Sequence, residues 1–109
     1  MADVLGVFEQ AVLVAVLRLR GDGYGRTILK EVQARLDRDV TASAVYATLD
    51  RLEAKGLATS RPGDTTPERG GRARRHFAVA AAGVRALEDA RAASLSIWRG
   101  ITGPLKGRA

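Results

Sequence analysis

The stretch LGVFEQAVLVAVLRL, residues 5–19, is apolar on nearly every face of the helix it would form. A helix of that kind is stable in water only when it is covered on both sides. Leu5, Phe8, Val12, Ala15, Val16 and Leu19 recur at helical spacing, and Ala11, Leu13, Val14 and Leu17 fill most of the rest. The run falls short of the roughly 20 apolar residues a bilayer span needs, and it lacks the basic head and cleavage site of a signal peptide. It therefore reads as a buried helix. A chain of 109 residues has room for one modest core, so few elements are on hand to cover such a helix, and part of the cover is expected from a second copy of the chain. There is no cysteine, which removes disulfides and thiolate chemistry and leads us to expect a cytoplasmic protein held together by packing.

Beyond this segment, RGDGYG at residues 20–25 reads as a turn, because glycine tolerates positive φ and aspartate favours turn geometry. Tyr24, Ile28, Leu29, Val32 and Leu36 mark a second amphipathic helix that ends at DRD, residues 37–39. A third helix has the sharpest signals. Thr41 is its N-cap, Val45, Leu49 and Leu52 form an i, i+4, i+7 apolar stripe, and Gly56 stands where a helix commonly stops. Its other face carries Ala44, Ala47 and Thr48 and then Arg51 and Lys55, with Ser43 and Tyr46 beside them. Small side chains let a helix approach a partner closely, and the N-terminal residues of a DNA-reading helix are those that meet base edges. An ordinary solvent face would look much the same, so this helix alone does not decide.

Two short extended runs follow, LATSR at 57–61 and RRHFAVA at 74–80, in which Leu57, Phe77 and Val79 face inward on a period of two. The loop between them is rich in glycine and proline, and residues 69–75 hold four arginines. Charge distribution gives that loop weight. Residues 1–56 carry eight basic and eight acidic side chains, residues 57–76 five against two, and residues 77–109 again five against two. The net charge of +6 thus begins at the hairpin, and a localised basic patch is the footprint of a polyanion partner, most often nucleic acid. Three helices followed by a hairpin with a basic tip is the order of a winged helix-turn-helix. The expected fold is mainly α with a small β-hairpin: a winged helix-turn-helix over residues 1–80, then a C-terminal dimerisation helix and short tail over 81–109.

The segments LGVFEQAVLVAVLRL, GYGRTILKEVQ, TASAVYATLDRLEAKGLATS and GGRARRHFAVAAAGVRAL, in this order and spacing, resemble the PadR family of winged-helix transcriptional regulators over residues 5 to about 90. Most specific are Tyr24-Gly25, the block from Val45 to Leu57, and the GGR of residues 70–72. The resemblance implies a homodimeric repressor on a palindromic operator in double-stranded DNA. It implies a reading helix from Thr41 to Lys55, with Thr41, Ser43, Ala44, Tyr46, Ala47, Thr48, Arg51 and Lys55 toward DNA. It also implies a wing in which Arg69, Gly70, Gly71, Arg72 and Arg74 meet the backbone. The chain departs from the family in two places. Ala80 stands where a threonine usually opens the last helix, which predicts a frayed start, and the tail is one helix where many relatives carry a separate helical domain.

In that last helix Val84, Leu87, Leu95, Trp98, Ile101 and Leu105 recur mostly at three- and four-residue steps. Packing it against the first helix within and across subunits would cover both, so Leu5, Phe8, Val12, Val84, Leu87, Leu95, Trp98 and Ile101 are the expected contacts of a two-fold dimer. Trp98, the only tryptophan, has two readings: plain interface packing, or one wall of an aromatic slot for a planar small-molecule effector, as the resemblance implies for some small members. His76 is the only histidine, and without cysteines or clustered carboxylates it makes no metal site. No cofactor is called for, and no nucleophile has a base partner the sequence can nominate, so an enzyme is not expected. Two alternatives remain: an RNA-binding winged-helix module, for which exposed stacking aromatics are scarce, and an adaptor that docks an acidic protein on the basic hairpin.

Overall fold

The computed structural model describes residues 4–65 and 73–103. Helix α1 (Val7–Arg18) is followed by α2 (Gly25–Leu36), α3 (Ala42–Ala54), the strands β1 (Ala58–Thr65) and β2 (Ala73–Val79), and α4 (Ala81–Ile97). The helices begin and end for local reasons. The Glu9 carboxylate turns back to accept the Gly6 N–H at 3.2 Å, satisfying a donor at the start of α1. Arg20 (φ 55°) and Gly21 (φ 86°) then turn the chain out of α1. At α2 the Tyr24 N–H donates to Thr27 Oγ1, and Asp37 closes the helix in the left-handed region at φ 53°. Thr41 Oγ1 accepts the Ala44 N–H at 3.1 Å, and Gly56 leaves α3 at φ 76°, as the capping pattern predicts.

The core forms where the apolar stripes of α1, α2 and α3 meet. Val12, Leu13, Ala15 and Val16 of α1, Ile28 and Val32 of α2, and Val45, Leu49 and Leu52 of α3 are all buried there, with Ala58 and Phe77 of the hairpin closing one side. The antiparallel hairpin pairs Ala58 with Val79, Ser60 with Phe77 and Pro62 with Arg75, and its register shifts between Pro62 and Thr65. Both strands extend further toward the loop than the alternation alone predicts. Leu57 precedes β1, half-buried against the core, and Ala58 takes the buried place. A bridge absent from the sequence reading joins Gly23 to β2, with the Phe77 N–H donating to the Gly23 carbonyl at 2.8 Å. That bridge fastens the turn before α2 to the base of the hairpin.

Ala80 supplies no side-chain cap to α4, yet the helix is formed from Ala81. Its start is held by tertiary contact instead. The Ala80 N–H donates to the Leu57 carbonyl at 2.9 Å, and Gly83 lies so close to that peptide that a Cβ there would sit 3.1 Å from Leu57 C and 2.8 Å from Val79 Cγ1. Ala90 is the one large-helix residue beyond this point buried against the core among the described residues. The stripe expected to run to Leu105 stops earlier: Trp98 is the C-cap, Gly100 has φ 84°, and Ile101 lies past the helix. Leu105 falls outside the described residues, as do the wing positions Arg69, Gly70, Gly71 and Arg72.

Candidate nucleic-acid interface

Burial along α3 separates its two faces. Val45, Thr48, Leu49 and Leu52 point into the core, while Ser43, Tyr46, Ala47 and Asp50 stand exposed at i, i+3, i+4 and i+7. Thr41 is exposed at the cap and Ala44 half-buried. Thr48, expected on the outward face, is only 2% exposed, because three residues after Val45 and one before Leu49 the helical turn brings it inward; its Oγ1 accepts Arg51 Nη2 at 3.2 Å. Asp50 takes its place on the outward stripe. The same spacing that fixes the inner face assigns Asp50 to the outer one, a signal present in the sequence but overshadowed there by the basic residues.

Arg51 and Lys55 are held from the side by α1. Lys55 Nζ donates to Glu9 Oε2 at 2.9 Å, and Arg51 Nε lies 3.6 Å from the same oxygen. The Glu9 carboxyl is held below its ordinary value, chiefly by the Lys55 hydrogen bond, with the Gly6 N–H and the Arg51 charge adding to it against the cost of burial. These two cations therefore form a shoulder between α3 and α1, partly neutralised already. The outward stripe proper is small, aromatic and acidic.

Beside that stripe lies a cleft of about 370 Å³, lined by Tyr24, Gly25, Tyr46, Leu49, Asp50, Arg74, Arg75 and Phe77. The turn before α2, the middle of α3 and the root of β2 meet here. Arg74 places its guanidinium carbon 4.4 Å from the centre of the Tyr24 ring, a cation–π contact that fixes the cation while leaving its N–H groups available. His76 stacks with the same ring at 5.8 Å between centroids. Gly25 approaches the Tyr46 ring and hydroxyl so closely that no Cβ fits without moving them. Arg75 is tied down, its Nε and Nη2 donating to Ser60 Oγ at 3.1 and 2.7 Å, while that hydroxyl donates to Glu53 Oε2. Of the expected wing residues, Arg74 is thus brought to the cleft, and the others lie outside the described residues.

A second groove, about 530 Å³, runs between α1 and α4 and is lined by Gln10, Val14, Leu17, Val84, Leu87, Glu88, Arg91, Ser94 and Leu95. Val84, Leu87 and Leu95 from the expected dimer set line it, and Trp98 and Ile101 stand half-exposed beyond it. Leu5 and Val12 do not belong to this surface: they are 4% and 0% exposed within the single chain and have no area left to give a partner. Phe8, partly buried, lines a separate shallow depression with Arg38, Asp39, Val40, Thr41 and Ala44. Gln10, Val14 and Leu17 form the α1 side of the groove. Among the described residues no group of three His, Asp or Glu could hold a metal ion, and no helix is long and apolar enough to cross a membrane.

Comparison with known proteins agrees with this architecture. The model of the transcriptional regulator PadR-like family matches residues 13–89. No curated protein matches the sequence. Among solved structures, a PadR-like transcriptional regulator from Bacillus cereus superposes with a TM-score of 0.72 at 17% identity, over 94% of this chain and 95% of that one. RosR of H. salinarum gives 0.70 at 25% identity, over 94% and 84%. A PadR family transcriptional regulator from Eggerthella lenta gives 0.66 at 24%, over 83% and 76%.

Proposed function

We propose, from the premise that the chain belongs to the PadR-like family of transcriptional regulators, that this DNA-binding regulator is a cytoplasmic homodimeric repressor of a palindromic operator. The observation that carries the reading is the meeting of two surfaces at one cleft. The exposed stripe Ser43, Tyr46, Ala47 and Asp50 of α3 is narrow enough to enter a major groove, and Tyr46 and Arg74 stand beside it with a hydroxyl and a guanidinium for the flanking phosphates. Arg69 and Arg72, with Gly70 and Gly71 leaving the backbone unencumbered, extend the phosphate contacts from the wing. Arg51 and Lys55 add positive potential from the shoulder, reduced by Glu9.

The α1/α4 groove supports a dimer. Leu95 is 64% exposed and Trp98 49%, an apolar surface of the sort that marks a protein–protein contact, and a second copy related by a two-fold axis would cover both helices. Two reading helices about 34 Å apart would then meet half-sites one helical turn apart. A planar effector held near Trp98 of each subunit would change the spacing of those helices and release the operator. The deciding experiment is selection of bound duplexes from a randomised library, repeated across a salt series. An enriched palindrome with half-sites one turn apart supports the reading; steeply salt-dependent binding without a motif overturns it.

A further inference from the structure

Among Ser43, Tyr46, Ala47 and Asp50 the one charged side chain is a carboxylate, on a surface that must approach phosphates, with exposed Arg51 beside it drawn toward Glu9. Asp50 is exposed, four residues after Tyr46 and three after Ala47, and lines the cleft that Tyr46 and Arg74 share. Other acids near α3 have structural work: Glu9 holds Lys55 and Arg51, and Glu53 accepts from Ser60. Among the described residues Asp50 makes no ion pair within 4.0 Å and no side-chain hydrogen bond. Its neighbours on the stripe, Ser43 and Ala47, are small, so a side chain as short as aspartate's can still come near base edges when the helix enters a groove.

An ionised carboxylate only accepts hydrogen bonds. Phosphates repel it, and in the major groove so do the guanine N7 and O6 and the thymine O4. The cytosine N4 amine stands at the end of its pair's row, with an acceptor, the guanine O6, on one side only, whereas the adenine N6 amine lies between two acceptors, its own N7 and the thymine O4. We infer that Asp50 is a specificity-determining residue that accepts a hydrogen bond from cytosine N4 at one position of each half-site, opposing binding to any sequence that lacks the amine there. The inference rests on α3 being the reading helix.

The test compares duplexes selected from a randomised library by the wild-type chain, Asp50→Ala and Asp50→Asn, followed by fluorescence anisotropy on duplexes carrying each base pair at the affected position. The wild-type chain is expected to prefer cytosine there by roughly 5- to 10-fold over other bases, the low end of what a base contact contributes because the hydrogen bond is single. Asp50→Ala should lose that preference, leave the other positions unchanged and bind arbitrary duplex severalfold more tightly, since a like charge is removed. Asp50→Asn should move the preference toward adenine, which an amide can contact through both N6 and N7. Thermal melting serves as the folding control, and the exposed position predicts no change. An Asp50→Ala protein that selects the wild-type motif with the same weights, or binds all sequences more weakly alike, overturns this inference alone. A wild-type chain that enriches no motif overturns the reading role of α3, and this inference with it.

Discussion

Gly25→Ala gives a direct check on how the cleft is built, because its effect on folding and its effect on DNA should separate. A Cβ at residue 25 would sit 2.6 Å from Tyr46 Cζ and nearer still to the ring edge and hydroxyl. Relaxed carbon contacts lie at about 3.5–4.0 Å, so the ring must retreat by roughly 1 Å. It can do so cheaply: the Tyr46 side chain is half-exposed and swings into solvent, and alanine is no worse than glycine at the start of a helix. Stability should stay within about 1 kcal/mol of wild type. DNA binding should not. A hydrogen bond to a charged group contributes about 1.5–3 kcal/mol, and a displacement of 1 Å at the hydroxyl takes it out of the range in which such a bond persists. The affinity for a selected operator should fall by about tenfold or more. The decisive form is a double-mutant cycle with Tyr46→Phe, read by fluorescence anisotropy. Since both changes remove the same contact, the double variant should bind no more weakly than Gly25→Ala alone. Wild-type affinity in Gly25→Ala, or effects that add in full, would refute the reasoning.

Gly83→Ala should do the opposite, lowering stability by about 2 kcal/mol or more where a glycine within a helix normally gains from the change, because the new Cβ in the first turn of α4 meets the Leu57 peptide, which cannot swing aside; urea unfolding reads this. Glu9→Gln should cost about 0.5–1 kcal/mol at neutral pH, a small figure because Arg51 and Lys55 are half in solvent. The folded carboxyl titrates below its ordinary value of 4.5, so its contribution is fully present above that value and is lost as pH falls through the folded one; the urea midpoints of variant and wild type should converge in acid. Glu31, held low by Arg18 and then Arg35, titrates in both proteins and cancels in that comparison. Leu95→Glu should leave the folded chain intact, since the side chain is exposed, and shift sedimentation from dimer to monomer.

The elements were legible in the sequence where the physics is local. Thr41, the Val45–Leu49–Leu52 stripe and Gly56 each act within a turn of α3, and the helix has the bounds they imply. The contacts that assemble the fold come from residues far apart. Gly23 bridges to Phe77, and Gly83 rests on Leu57; nothing in GDGYG or AAAG announces a partner more than 20 residues away. The expectation of a frayed α4 failed for that reason, because a tertiary hydrogen bond from Ala80 does what a missing side-chain cap would have done. Val12 was misplaced differently. In a helix apolar all round, composition cannot say which side meets the chain's own core and which a partner, and only the position of α4 divides Val12 from Val14.

Charge alone does not describe the surface proposed to read DNA. Arg51 and Lys55, half in solvent on the helix expected to meet DNA, are also drawn toward Glu9, whose two oxygens do separate work: Oε1 accepts the Gly6 N–H at the start of α1, and Oε2 holds the two cations of α3. The first turn of α1 is thereby joined to the last turns of α3. Groove and reading helix share α1, since Gln10, Val14 and Leu17 line the groove within three turns of Glu9. On the face left free, Ser43 and Ala47 are small and Asp50 is acidic, so α3 there offers shape and one directional acceptor and adds no attraction for phosphate. In the proposed reading most of the attraction would come from Arg74 and the arginines near it in sequence, with a share from Arg51 and Lys55 that Glu9 reduces. On the proposed reading, affinity and choice of sequence would arise in different segments, and substitutions in each should be separable by whether they alter the salt slope or the selected motif.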